Sequence, residues 1–167
     1  WAVAAGSFSH VYGDGGLGVT GILDNVISIY SDIPATAGAL PVHNLDTEGW
    51  AAYAAATDGL WFTTIDPAAH GYDPETDFTT VFIGRADTWG FTTYGLLLGI
   101  ACQIDLTNME KADNALVFAQ NYAGFSTAGS LSGMLNEYSR GLANTAAHEL
   151  GHVLGFNHHS TSGNWVL

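Results

Sequence analysis

The sequence predicts a mixed fold of the α/β or α+β class, in one domain that spans residues 1–167. Short β-rich runs alternate along the chain with segments of helical periodicity. Hydrophobic residues make up 47% of the chain and charged residues only 11%, so a single core can form without disulfides. No apolar run reaches the about 18–20 residues that a spanning helix needs, and we therefore expect no membrane insertion.

The first helix is predicted to begin at Thr20 and to run to about Tyr30. Ile22, Val26 and Ile29 recur at the spacing of one helix face. A threonine hydroxyl can accept a hydrogen bond from an unpaired N–H of the first turn, which favours Thr20 as the N-cap. The preceding segment is rich in Gly, Ala and Ser and predicts no definite element.

The middle of the chain predicts one more helix and several strands. The alanine-rich run Glu48–Thr57 is typical of a short helix. Runs of β-branched, aromatic and aliphatic residues predict strands over Leu60–Ile65, Thr79–Gly84, Leu96–Ile104 and Ala115–Ala119. The third of these strands is nearly all apolar, as expected of a strand that is covered on both faces.

The C-terminal third of the sequence predicts a helix that is preceded by a less regular segment. Ser130–Arg140 is interpreted as a helical or irregular lead-in. Asn144 or Thr145 can cap the last helix, because both side chains favour N-cap positions, and the helix then runs through Leu154.

Charge and cysteine content exclude several classes of protein. The formal net charge is −13, because Arg85, Lys111 and Arg140 are the only Lys or Arg residues. Such a surface repels nucleic acids and anionic membranes, so we expect neither as a partner. The single cysteine, Cys102, excludes a disulfide framework, and we expect its thiol to be buried in a strand.

One run near the C-terminus has the spacing of a catalytic metal site. It extends from His148 to His158 and reads HExxHxxGxxH. His148 and His152 are four residues apart, so on a helix their imidazoles project from one face and can hold one Zn²⁺. Gly155 can end the helix with a positive φ, and the turn returns His158 as a third ligand. Three protein ligands leave a fourth position for water, as in catalytic zinc sites.

This run resembles the motif of the metzincin clan of zinc metalloendopeptidases, within it the matrixin-like branch. The resemblance implies hydrolysis of peptide bonds in a protein or peptide substrate. Glu149 follows the first ligand and is implied as the general base that activates a zinc-bound water and passes its proton to the leaving amine. An ion-paired surface glutamate is the competing interpretation, but the chain has few cations for such a pair.

The same resemblance implies a twisted mixed sheet above the active-site helix. The segments Thr79–Gly84, Leu96–Ile104 and Ala115–Ala119 would be its last three strands, with the middle segment as an antiparallel edge strand that pairs with substrate. The family also has a methionine turn after the third histidine. Here the chain ends nine residues after His158 and no Met follows Met134. We therefore expect either a longer protein or a missing lower subdomain.

Alternative interpretations remain open at several histidines and acidic residues. His159 becomes the third ligand if the turn slips by one residue. His10, His43 and His70 are interpreted as surface or capping residues, with a secondary metal site at His43 or His70 as the alternative. Matrixin-like enzymes often bind structural Ca²⁺, and the alternatives to solvated acidic loops are calcium sites at Asp14, at Asp105 with Asp113, or at Asp73, Glu75 and Asp77.

Two functions from different classes follow for the whole chain. The first is a secreted, extracellular or cell-surface zinc endopeptidase, because a chain that begins at Trp1 instead of Met suggests a processed N-terminus from which an export signal has already been removed. The second is a non-catalytic structural or surface-layer component that retains a metal-stabilised metzincin fold. Substrate preference and oligomeric state cannot be predicted from the sequence.

Overall fold

The computed structural model describes residues 21–33, 40–73, 76–84, 97–105, 113–122 and 126–158. Within these ranges the fold is α+β, with short strands in two small sheets and one long helix. This agrees with the mixed class that the sequence predicts.

The helices and strands are short except at the C-terminal end. The α-helices are α1 (Ile22–Ser31), α2 (Leu45–Glu48), α3 (Trp50–Ala55) and α4 (Leu131–Val153), and 3₁₀ turns cover Pro67–His70 and Ala119–Tyr122. The strands are β1 (Val42–Asn44), β2 (Leu60–Phe62), β3 (Thr80–Gly84), β4 (Gly99–Ala101) and β5 (Asn114–Phe118). No helix among the described residues has the length and hydropathy needed to cross a bilayer.

Two sheets are formed by the described strands. Strands β1 and β2 pair in parallel, with Val42 opposite Leu60. In the second sheet β5 lies in the centre, parallel to β3 and antiparallel to β4. Strand β4 is therefore an antiparallel edge strand of this sheet, as predicted for Leu96–Ile104. Among the described residues of the predicted strand, Gly99–Ala101 pairs with β5 as a strand, and Leu96 lies outside the described residues.

Helix α4 is continuous from Leu131 to Val153, so the prediction that Asn144 or Thr145 caps its start was wrong. Its N-cap is Ser130, whose hydroxyl accepts a hydrogen bond from the Gly133 N–H at 3.2 Å. Asn144 and Thr145 therefore lie inside the helix rather than at its start. The lead-in 131–140 is helical, which is one of the two interpretations that the sequence left open. Leu131 and Met134 are exposed there, whereas Tyr138 packs against the core and donates a hydrogen bond of 2.6 Å to the Ala119 C=O.

The core forms where α1 crosses α4 beneath the three-stranded sheet. Buried residues of α1, Ile22, Val26 and Tyr30, join the small residues Ala143 and Ala147 of α4 in one cluster. Alanine at these positions lets the two helix backbones approach closely. The hydroxyl of Tyr30 donates a hydrogen bond of 2.9 Å to the Ala147 C=O, and burial raises the pKa of this phenol well above its usual value.

Three local departures from the predictions have physical causes. The predicted helix Glu48–Thr57 starts earlier and breaks at Gly49, whose φ of 88° is incompatible with a right-handed helix. Strand β2 ends at Phe62 because the hydroxyls of Thr63 and Thr64 both donate to the Asp46 carboxylate. Cys102 lies just beyond β4 and is exposed, so the prediction of a buried thiol was wrong.

We expect Tyr30→Phe to lower the free energy of unfolding by about 0.5–1.5 kcal/mol, because it removes one buried hydrogen bond and no apolar contact. Tyr53→Phe is the matched control, since it removes the hydroxyl of a half-buried tyrosine in α3. Denaturant unfolding of both variants measures the difference. Equal effects of the two substitutions would contradict a stabilising role for the bond between Tyr30 and Ala147.

Candidate metal centre

The last turns of α4 bring the first two histidines of the motif together. His148 and His152 are one helical turn apart, and their Nε2 atoms lie 3.2 Å from each other. His152 is buried, whereas His148 is half-buried. The spacing of four residues places both rings on one face of the helix, as predicted.

A glycine turn brings the third histidine back to the first two. Gly155 has a φ of 93°, its N–H donates to the His152 C=O, and the Phe156 N–H donates to the Gly151 C=O. These two bonds form a Schellman motif, which ends the helix and reverses the chain. The Nε2 atom of His158 consequently lies 2.9 Å from the Nε2 atoms of both His148 and His152.

The three Nε2 atoms form a triangle that can hold one metal ion. Ligands at about 2.0–2.1 Å from a tetrahedral Zn²⁺ lie about 3.3–3.4 Å from one another, close to the observed separations. Three imidazole nitrogens that converge so closely cannot all be satisfied by hydrogen bonds to one another, since a neutral ring has only one N–H. A shared cation satisfies all three lone pairs.

The ring of His152 is oriented by the same turn. Its Nδ1 atom lies 2.8 Å from the C=O of Phe156, and a carbonyl can only accept, so Nδ1 carries the proton. The lone pair is then on Nε2, which faces His148 and His158. Hydrogen bonds of this kind fix the tautomer and direction of a metal ligand.

The electrostatic surroundings favour the neutral, metal-binding form of His148. Burial lowers the pKa of this imidazole, and the charges that His152 and His158 carry when protonated lower it further. A neutral ring has the free lone pair that a metal requires.

Glu149 lies beside the histidine cluster but is not part of it. Only 7% of its surface is exposed, and burial raises the pKa of its carboxyl group. The charge of His152 and a hydrogen bond from the Ala101 N–H act in the opposite direction. Glu149 therefore faces the edge strand β4, and it has no Lys or Arg partner among the described residues.

The other histidines considered from the sequence do not join this cluster. His43 stacks on Trp61, with its Nδ1 atom 2.9 Å from the Glu48 carboxylate, and His70 stacks on Trp50. Among the described residues, no second group of three His, Cys, Asp or Glu side chains converges. His10 and His159 lie outside the described residues.

The calcium candidates form no cluster in the part of the chain that is described. Asp77 accepts a hydrogen bond from the Asp73 N–H at 3.0 Å, which closes a turn. Asp113 is buried and accepts from the Gln103 side chain. Asp14 and Glu75 lie outside the described residues, so calcium binding remains a prediction.

Sequence reasoning did not identify two backbone groups that contact the site. They are the C=O of Phe156, which orients His152, and the N–H of Ala101, which binds Glu149. Gly99, within the apolar strand, was a signal for the contact of the Ala101 N–H, because glycine within a strand often marks a close backbone approach. No sequence pattern identifies the partner of such an approach.

Comparisons of the chain with models of protein families, with curated proteins and with solved structures found no match.

We expect the chain to bind one equivalent of Zn²⁺ and His152→Ala to weaken binding by more than about 100-fold, since second-shell changes alone cost about 10–100-fold. His70→Ala is the control, because it removes a histidine outside the cluster. Calorimetric titration with Zn²⁺ measures both affinities. Wild-type affinity in His152→Ala would show that the metal binds elsewhere.

Proposed function

We propose that the chain is a secreted zinc endopeptidase with a metzincin fold of the matrixin-like branch, acting on proteins or peptides outside the cell. The observation that carries the proposal is the cluster of His148, His152 and His158 with the buried carboxylate of Glu149 beside it. Three imidazoles leave a position for water or substrate, and the adjacent carboxylate can exchange a proton there.

Each protein group in the proposed reaction has a separate task. Zn²⁺, when bound, lowers the pKa of water and polarises the peptide carbonyl. The three histidines hold the ion, and the Gly155 turn keeps His158 and the ring of His152 in place. Glu149 takes the proton of the attacking water on its carboxylate and passes it to the leaving amine. Burial raises the pKa of this carboxyl group, which is the direction that a group able to hold and release a proton requires.

The proposed substrate is an extended peptide that pairs with the edge strand β4. The position of β4 in the sheet supports this proposal, since β4 pairs with β5 on one side and lies beside Glu149 on the other. Antiparallel addition of a peptide to a strand edge is a common mode of recognition, and here it would use the backbone groups of this edge that do not already contact Glu149 or Asn121. Backbone groups make most of the contacts in this mode, and the proposal therefore assigns no side-chain preference.

We expect Glu149→Gln to lower peptidase activity by about 10²–10⁴-fold, because an amide cannot accept the proton. The glutamine oxygen can still accept the hydrogen bond from the Ala101 N–H, so folding and Zn²⁺ affinity should be retained. Cleavage of an unfolded protein, with and without a chelator, measures activity, and titration with Zn²⁺ measures affinity.

Glu137→Gln is the matched control, since it makes the same change on the same helix. The Glu137 carboxylate is exposed and accepts hydrogen bonds from Ser126 and Thr127, which lower its pKa. Activity should remain at the wild-type level. A Glu149→Gln variant as active as this control would exclude Glu149 as the base. A wild-type chain that binds Zn²⁺, gains thermal stability and cleaves nothing would instead support the non-catalytic structural component.

A further inference from the structure

Strand β4 has one backbone edge paired with β5 and the other turned away from it. The Phe118 N–H donates to the Leu98 C=O at 2.8 Å, and the Cys102 N–H donates to the Asn114 C=O at 3.0 Å. Backbone groups alternate between the two edges of an antiparallel strand. The N–H and C=O groups of Gly99 and Ala101 therefore face away from β5.

Side chains of the protein already contact this second edge. The Ala101 N–H donates to the Glu149 carboxylate. Four residues earlier on the same edge, the side-chain amide of Asn121 donates to the Leu97 C=O at 2.5 Å. Leu97 and Ala101 are both at positions whose backbone groups face away from β5, as the alternation along the strand requires. Strand β4 therefore contacts Glu149 through a backbone hydrogen bond.

Gly99 lies between these two contacts and is in close contact with α4. A Cβ atom added here would lie 2.6 Å from Cγ2 of Thr145 and 2.8 Å from both Cγ and Oε1 of Glu149. These separations are shorter than any ordinary carbon contact. The φ of Gly99 is not in the left-handed region. Glycine is therefore needed here because there is no space for a side chain, not because of the backbone conformation.

We propose that Gly99 is a positioning residue for Glu149: its missing side chain lets β4 come close enough for the Ala101 N–H to hold the carboxylate beside the histidine cluster. The catalytic part of this inference rests on the proposed peptidase function. Gly99 itself acts through Glu149, and a displaced carboxylate loses its alignment with the site although the metal ligands are untouched.

The main experiment compares Gly99→Ala with wild type at equal Zn²⁺ loading. We expect kcat to fall by about 100-fold with little change in KM and in Zn²⁺ affinity, because a misplacement of about 1 Å can cost that much in rate. Gly84→Ala is the matched control, since Gly84 also lies in a strand and an added Cβ there meets nothing within 4 Å. Equal kcat values for Gly99→Ala and Gly84→Ala would overturn the inference.

A double variant separates positioning of Glu149 from simple packing against α4. Thr145→Ser removes the methyl group nearest to the added Cβ and keeps the hydroxyl that hydrogen-bonds Tyr122. If Gly99 serves only to fit against Thr145, then Thr145→Ser should restore kcat in Gly99→Ala. We expect little recovery, because the contact with Glu149 remains. Full recovery would contradict the proposal.

A second variant tests the hydrogen bond without adding a side chain at position 99. Ala101→Pro removes the N–H that binds Glu149, and this N–H lies on the edge that does not pair with β5, where proline is tolerated. The same loss of kcat at unchanged Zn²⁺ affinity is expected. A folded Ala101→Pro variant with wild-type kcat would show that the bond does not position Glu149.

The contact can also be measured without any turnover. In the metal-free protein, the Ala101 amide should change its NMR shift and lose protection from hydrogen exchange in Glu149→Ala and in Gly99→Ala, but not in Gly84→Ala. An unchanged Ala101 amide in Gly99→Ala overturns the inference even if the wild-type chain has no peptidase activity. An active wild type with this result leaves the proposed function intact.

Discussion

The packing of α4 against α1 is the constraint on which the rest of the structure depends. The helix buries Ala143 and Ala147 against Tyr30 on one side, and this contact fixes its rotation about its own axis. With 3.6 residues per turn, the rotation decides where every other side chain points. His148 and His152 then share one face, and Glu149 points toward the edge strand. Core packing and the arrangement of the histidine cluster are consequences of the same helix orientation.

Burial of Glu149 has a cost that its surroundings offset only in part. A carboxylate removed from water needs hydrogen bonds or a nearby positive charge. The Ala101 N–H supplies one hydrogen bond, and the described residues supply no Lys or Arg beside it. A cation held by the adjacent histidines would stabilise the ionised form. Metal binding at these histidines would therefore be coupled to the charge state of Glu149 by proximity, even though the carboxylate is not part of the cluster.

The turn after α4 connects local backbone chemistry with the site. Positive φ at Gly155 allows the Schellman motif, and this motif places both His158 and the C=O of Phe156. One short segment thus provides one histidine of the cluster and the carbonyl group that orients another. One segment can have both roles because the end of a helix leaves backbone carbonyls that need hydrogen-bond partners.

The sequence alone determined the parts of the protein that depend on local spacing. Histidines at helical intervals followed by a glycine predict the cluster through backbone geometry, and runs of β-branched, aromatic and aliphatic residues predict β3 and β5. The tertiary structure decided what depends on distant contacts. The unbroken start of α4 and the extent of β4 depend on contacts with other elements, and the approach of Gly99 to Glu149 joins residues 50 positions apart. Only the packed core brings such residues together, because no local pattern encodes which surfaces meet.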